Sequence, residues 1–316
     1  MKKQIKPRAV LLSKRANVFY LEHVRIMQKD DRVVYLTDTG ADVEQFFNIP
    51  ERNTAFLLLG KGSSLTDAAA RKLADSNVVI GFCGSGGSPL FCATDMTFLT
   101  TQSEYRPTEY MQSWMRLWLD EAKRLETARA MLRKRLEWAF DSWAGDVELL
   151  RRKVVLDDGL RRWFEQGIDK AGTTSDLLSL EGVWAKRLYA KLVEGFRLSD
   201  FKREEGKGSR LSREDVVNGF LDHGNYIAYG YAAVTLNGLG ISFALPLLHG
   251  KTRRGGLVFD VADLIKDAYV MPLAFARGNA GTKQQSFRDE LIERIQIENV
   301  LDRLFTFVED LSHKYV

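Results

Sequence analysis

Cysteine is scarce in this 316-residue chain: Cys83 and Cys92 are the whole supply. Two thiols build neither a disulfide framework nor a Cys-rich zinc site, and they fit a chain kept in the reducing cytosol. Proline is also sparse at 6 residues, and with 45% hydrophobic and 28% charged residues the composition excludes a disordered or low-complexity bulk. The start MKKQIKPRAVLL is basic but has neither the apolar core nor the small-residue cleavage site of a secretory signal, so none is expected. A strong charge of one sign is missing as well, and the net +4 gives a mild attraction to polyanions. One stretch lacks charge altogether: the 25 residues from Gly224 to Leu248 are enough to span a bilayer. Asn225, Thr235, Asn237, Ser242, Pro246 and four glycines interrupt it. Two buried helices joined at Gly238–Gly240 are expected there, and no membrane span.

The length allows two domains of ordinary size. In the first hundred residues, the β-branched and aromatic runs Ala9–Leu12, Asn17–Met27 and Arg32–Thr37 predict an antiparallel meander with KDDR as a hairpin turn. Thr54–Gly60 and Val78–Phe82 predict two further strands, with one helix between them opened by Ser64 and Asp67 as a capping box. Strand character stops at Thr100–Glu109, and apolar residues then recur at helical spacing. The expected fold is therefore α+β, with an N-terminal β-rich domain carrying one helix over residues 1–103 and an all-α domain over 104–316. Two glycine clusters, Gly60–Ser64 and Gly84–Pro89, lack the spacing of a Walker loop and of a dinucleotide fingerprint, so both are expected to be turns.

Within the helical half, Trp114, Leu117 and Trp118 lead into Lys123–Arg135, where Lys123, Arg124, Arg129, Arg133, Lys134 and Arg135 face the single acid Glu126. Such a run either holds phosphates or is a solvated helix face. Arg151–Lys153 adds a second basic cluster, and the polar, glycine-bearing segment between Arg197 and Glu214 predicts a mobile connection. The closing SFRDELIERIQIENVLDRLFTFVEDL predicts one amphipathic helix opened by Ser286 and Asp289.

Chemistry concentrates between Pro246 and Tyr269, PLLHGKTRRGGLVFDVADLIKDAY. Asp260, Asp263 and Asp267 fall three and four apart, so a helix presents them on one face. Like charges that close repel, and either solvent or a divalent cation relieves them, with His249 as a nitrogen donor beside the carboxylates. Glu181, on a stripe shared with Leu177, Trp184, Ala185 and Leu188, adds another acid that burial would penalise. It needs a cation, from Lys186, Arg187 or a metal, and Gly182 beside it is expected to admit a close neighbour. His223 is expected to be structural or DNA-facing, and His23 and His313 show no tie to chemistry.

The blocks EGVWAKRLYAKL, NYIAYGYAAVTLNGLGISFALPLLHG and GGLVFDVADLIKDAYVMPLAFA, in that order, resemble the Glu, His and Asp blocks of the Cas-one family of CRISPR-associated integrases and endonucleases, with a wording similar to the I-F subtype. The resemblance implies an N-terminal domain that forms a homodimer and a C-terminal domain that binds DNA and one Mg or Mn ion. It implies Glu181, His249 and Asp263 as metal ligands, with Asp260 as a supporting catalytic acid. Asp267 stands outside that ligand set and is expected on a helix face or paired with the basic turn, while Lys251, Arg253 and Arg254 are placed to hold phosphates. The implied activity is capture of protospacer DNA and its insertion into the CRISPR repeat array. The implied partner is a second Cas adaptation protein fused to the interference helicase-nuclease, in the cytoplasm. A general metal-dependent nuclease on branched or single-stranded DNA would use the same residues, and a non-catalytic DNA-binding module would need only the basic helices.

Overall fold

The computed structural model describes residues 10–37, 45–84, 96–101, 108–204, 212–250 and 255–314. It divides into two compact units, Met1–Arg106 and Pro107–Val316, close to the expected boundary. Cys92, most of the second glycine cluster, Lys251, Arg253, Arg254 and the centre of the polar connection lie outside the described residues.

Among its described residues the first unit has two four-stranded sheets and one α-helix. β1 (Asn17–Leu21), β5 (Thr54–Leu59), β7 (Val79–Cys83) and β8 (Met96–Leu99) form one sheet, and β4 (Phe46–Ile49), β3 (Arg32–Thr37), β2 (Val24–Lys29) and β6 (Ser64–Leu65) form the other. The meander is thus only half present. Its β2–β3 hairpin turns at Asp30 and Asp31, both with positive φ, the geometry that matches strand twist in a two-residue turn. The expected strand Asn17–Met27 breaks at His23, at φ 53°, and its halves join different sheets. β1 runs parallel to β5, and β5 parallel to β7. The all-apolar LLL of β5 reflects that placement, since a central parallel strand is buried on both faces. α1 (Asp67–Asp75) is capped by Thr66, whose hydroxyl accepts from the Ala69 amide, while Ser64, the expected cap, belongs to β6. Leu12–Lys14 form a short 3₁₀ turn in place of the expected first strand. Val24, Ile26, Val33, Ile49, Leu57, Ala69, Leu73 and Ile80 join both sheets and α1 in one apolar cluster.

The second unit is helical throughout its regular elements: α2 (Glu109–Leu119), α3 (Glu121–Gly145), α4 (Val147–Arg151), α5 (Asp158–Lys170), α6 (Thr174–Phe196), α7 (Arg213–Gly238), α8 (Gly256–Ile265), α9 (Met271–Asn279), α10 (Gln284–Ile297) and α11 (Val300–Lys314). Asp120 separates α2 from α3, accepting from the Ala122 and Lys123 amides as an N-cap. The expected closing helix is also two, parted at Asn299 with φ 51°. α7 is buried all round from Ile227 to Asn237, which accounts for the absence of charge there. It packs closely enough that a Cβ at Gly224 would stand 2.4 Å from Val270 Cγ1. No described helix is long and apolar enough to cross a membrane. The expected second helix after Gly240 is absent, and residues 241–250 form turns instead.

Between α8 and α9 the chain widens into a π-helical turn, Lys266–Val270, in which the Met271 amide bonds the Lys266 carbonyl. Pro272 explains the need, because its ring lacks an N–H and clashes with the carbonyl four residues back. The carbonyls that lose helical partners are met from α3: Trp143 Nε1 donates to Asp267 O at 2.8 Å and Ser142 Oγ to Ala268 O at 2.6 Å. This turn fixes the direction in which Asp267 leaves the helix.

Candidate metal centre

His249 sits in a turn held from two sides. From α2, Trp114 Nε1 donates to the Leu245 carbonyl at 3.1 Å and Trp118 Nε1 to the Pro246 carbonyl at 2.7 Å. From α8, Asp260 Oδ2 accepts the Leu247 and Leu248 amides at 2.6 and 3.2 Å, and Oδ1 accepts the His249 amide at 3.2 Å. Gly256 lets the turn and helix meet, since a Cβ there would lie 3.0 Å from the His249 carbonyl oxygen and 2.9 Å from Pro246 Cβ. Asp260 Oδ1 also lies 2.7 Å from His249 Nδ1, so a metal would be met through Nε2, the usual arrangement of a carboxylate orienting an imidazole ligand. Asp260 is therefore engaged in shaping the turn.

Asp263, one turn further along α8, is buried, and Lys266 Nζ lies 2.6 Å from its Oδ1. That oxygen has the charge contact but no correctly directed hydrogen bond. Burial by itself would raise the carboxyl pKa, yet Lys266, Arg135 and His249 outweigh it and hold it down at about 2. Burial likewise opposes a charge on His249, but its bond to Asp260 and the charges of Asp263, Asp260 and Glu181 raise the imidazole above its ordinary value.

Glu181 comes from α6, whose start is set by the expected Thr173–Asp176 capping box. Its cation is neither Lys186 nor Arg187, the latter stacking on Trp163 at 3.6 Å. Arg135 of α3 supplies it, with Nη1 2.8 Å from Glu181 Oε1 and 3.3 Å from Asp263 Oδ2. The same guanidinium clasps Asp267 with Nε at 2.5 Å and Nη2 at 3.0 Å, and Trp184 Nε1 donates to Asp267 Oδ2 at 2.7 Å. Asp267 is thus buried and pairs with a cation of α3, not facing solvent. Burial opposes the charge of Arg135, and the three acids more than restore it. Gly182 faces open space, contrary to the close approach expected there.

Arg135 thus joins Glu181 of α6 to Asp263 of α8, and His249 lies within electrostatic reach of both. These three are not set as a ready cage: no group of three His, Cys, Asp or Glu among the described residues is arranged to hold an ion. Arg135 and Lys266 stand among the carboxylates instead. The donors still suit Mg or Mn in kind, two carboxylates and an oriented imidazole.

The basic run on α3 is largely paired, which removes it as a simple phosphate surface. Arg129 meets Glu126 and the Ala171 carbonyl, Arg133 meets Asp169, and Lys134 meets Glu137. In the second basic cluster Arg151, Arg152 and Lys153 line a cleft of about 610 Å³ with Lys191, Glu194 and Arg197, and Arg152 and Lys191 pair with Glu148 and Asp157. His223 lies on α7 with its ring 6.5 Å from Tyr226, and His313 packs edge-on to Tyr110.

A family model described as "CRISPR associated protein Cas1" matches residues 19–298. CRISPR-associated endonuclease Cas1 of Pseudomonas aeruginosa is 42% identical over 97% of this chain and 96% of its own length. The protein of the same description from Pectobacterium atrosepticum is 41% identical, covering 97% and 95%. Among solved structures, the TtCas1–DNA complex superposes with a TM-score of 0.69 at 23% identity, covering 94% of this chain and 92% of that one. The chain belongs to the Cas1 family of CRISPR-associated proteins.

Proposed function

We propose that this chain is a CRISPR adaptation integrase, a DNA endonuclease and transesterase that inserts captured protospacers into the repeat array. What supports the reading is Arg135 bonding both Glu181 and Asp263, with His249 within electrostatic reach of the two acids, in a chain of this family. In the reaction the 3′ hydroxyl of a protospacer attacks the phosphorus at the repeat boundary, a new P–O bond forms, and the repeat strand leaves as a 3′ hydroxyl. Water in place of that hydroxyl gives strand cleavage. Glu181, His249 Nε2 and Asp263 would hold a divalent ion, which would supply positive charge for the phosphate oxygens.

The protein's own groups prepare that arrangement. Asp260 fixes the imidazole tautomer and the path of the turn. Arg135 and Lys266 hold the buried Asp263 carboxyl below its ordinary value, against the effect of burial. Lys251, Arg253 and Arg254, immediately after His249 in sequence, are proposed to hold the scissile strand's phosphates.

The partners proposed are protospacer and repeat DNA, a second copy through the N-terminal unit, and a Cas adaptation protein fused to the interference helicase-nuclease, all in the cytoplasm. The test is strand joining on a repeat-bearing plasmid with the purified partner. Wild type with Mn is expected to yield joined product and His249→Ala to yield none. Cleavage of branched or single-stranded DNA without any joining would favour the general nuclease instead.

A further inference from the structure

Arg135 lies on the apolar stripe of α3 with Ala128, Met131, Leu132, Leu136 and Ala139, and is itself buried. A lone buried guanidinium is costly, so its contacts state what it is for. One edge is anchored: Nε and Nη2 form a fork on Asp267, which Trp184 holds from its other side. The remaining nitrogen, Nη1, reaches the two carboxylates proposed as ligands, Glu181 and Asp263. Both oxygens of Asp263 then face cations, Oδ2 toward Arg135 and Oδ1 toward Lys266, which is why the donors do not form a closed cage. An ion entering between Glu181 and Asp263 meets the positive charge of Nη1.

We propose that Arg135 is a positioning residue that stands in for the divalent ion. In the metal-free protein Nη1 holds Glu181 and Asp263 together against their mutual repulsion. On metal binding it yields them, while the Asp267 fork retains the guanidinium within the site. Two consequences distinguish this role from an ordinary buried ion pair. The arginine and the metal oppose one another, so weakening the Nη1 contacts tightens metal binding, and the fork to Asp267 outlasts the exchange. The inference rests on the ligand assignment made under the proposed function and adds to it a competitor built into the fold.

Arg135→Lys keeps a positive charge for Asp267 but cannot reach all three acids, and Arg135→Gln with Asp267→Asn removes both buried charges together. Each protein is titrated with Mn by electron paramagnetic resonance and unfolded thermally in chelator and in Mn. The proposal expects roughly tenfold tighter Mn binding in either folded variant, a lower melting temperature in chelator, and a larger gain in melting temperature on adding Mn. In wild type, Mg is expected to shift the Arg135 Nη ¹⁵N signals and leave Nε in place. Unchanged or weaker Mn binding in a folded variant, or an unperturbed Nη signal at saturating Mg, makes Arg135 a structural ion pair and overturns the proposal. If wild type binds no Mn, the ligand assignment itself fails, and this inference falls with it.

Discussion

Asp260 holds His249 at two points, accepting its backbone amide at 3.2 Å and meeting its ring Nδ1 at 2.7 Å with the same oxygen. Since Oδ2 also takes the Leu247 and Leu248 amides, one buried carboxylate sets both where the imidazole stands and which nitrogen it presents. Asp260→Asn puts an amide N–H where one oxygen now accepts. The expected result is a folded protein whose Mn affinity or strand-joining rate falls about 10–100-fold, the usual scale for the partner of a metal-bound histidine. Calorimetric Mn titration beside circular dichroism checks it.

Asp267 is buried and pairs with the buried Arg135. Asp267→Ala leaves Arg135 short of its best partner and removes the acceptor of Trp184 Nε1. Breaking such a pair from one side costs about 3–5 kcal/mol. Urea unfolding of the metal-free protein reads that loss as a lower midpoint at unchanged slope.

Trp143 completes the π-helical turn by donating to the Asp267 carbonyl. Trp143→Phe keeps most of the ring and removes the donor, leaving a buried carbonyl unpaired at a cost of about 1–3 kcal/mol. Hydrogen exchange should locate the loosened amides at residues 266–271 and leave α5 unchanged. Uniform loosening of the helical unit would mean that the ring's packing matters more than its N–H.

Glu290 offers a pH test away from the centre. Arg277 meets it with Nε at 2.5 Å and Nη2 at 2.6 Å, and Arg294 adds a third contact at 3.2 Å. Partial burial pushes its carboxyl up, but the bonds and charges of these arginines win and hold it below the ordinary value. A depressed carboxyl stabilises the fold above its unfolded pKa and loses that contribution as pH falls through the folded one. Glu290→Gln should therefore flatten the acid limb of the melting temperature against pH and lower stability near pH 7.

The two-part layout and the Thr173 cap were legible because each depends on local spacing, and Glu181, His249 and Asp263 stood out as residue types with few uses. The sheet assignments were not legible, since whether β1 pairs with β2 or with β5 depends on contacts with a strand that begins at Thr54, far outside any local window. Arg135 looked like one charge of a basic helix, although its spacing from Met131, Leu132 and Leu136 already put it on the buried stripe. Its acidic partners lie 46, 128 and 132 residues distant, beyond any local pattern. Trp114 and Trp118 showed only helical spacing in the sequence, and their N–H groups fix the carbonyls before His249. Lys266 had a signal that was passed over, a cation one helical turn after Asp263.

The most direct measurement is pulsed electron paramagnetic resonance of bound Mn in wild type, His249→Ala and Asp263→Ala. The account predicts one Mn per chain in wild type with a ¹⁴N coupling from the imidazole, the coupling lost in His249→Ala and the binding weakened in Asp263→Ala. Mn bound equally well by all three proteins, with no nitrogen coupling in wild type, would contradict it.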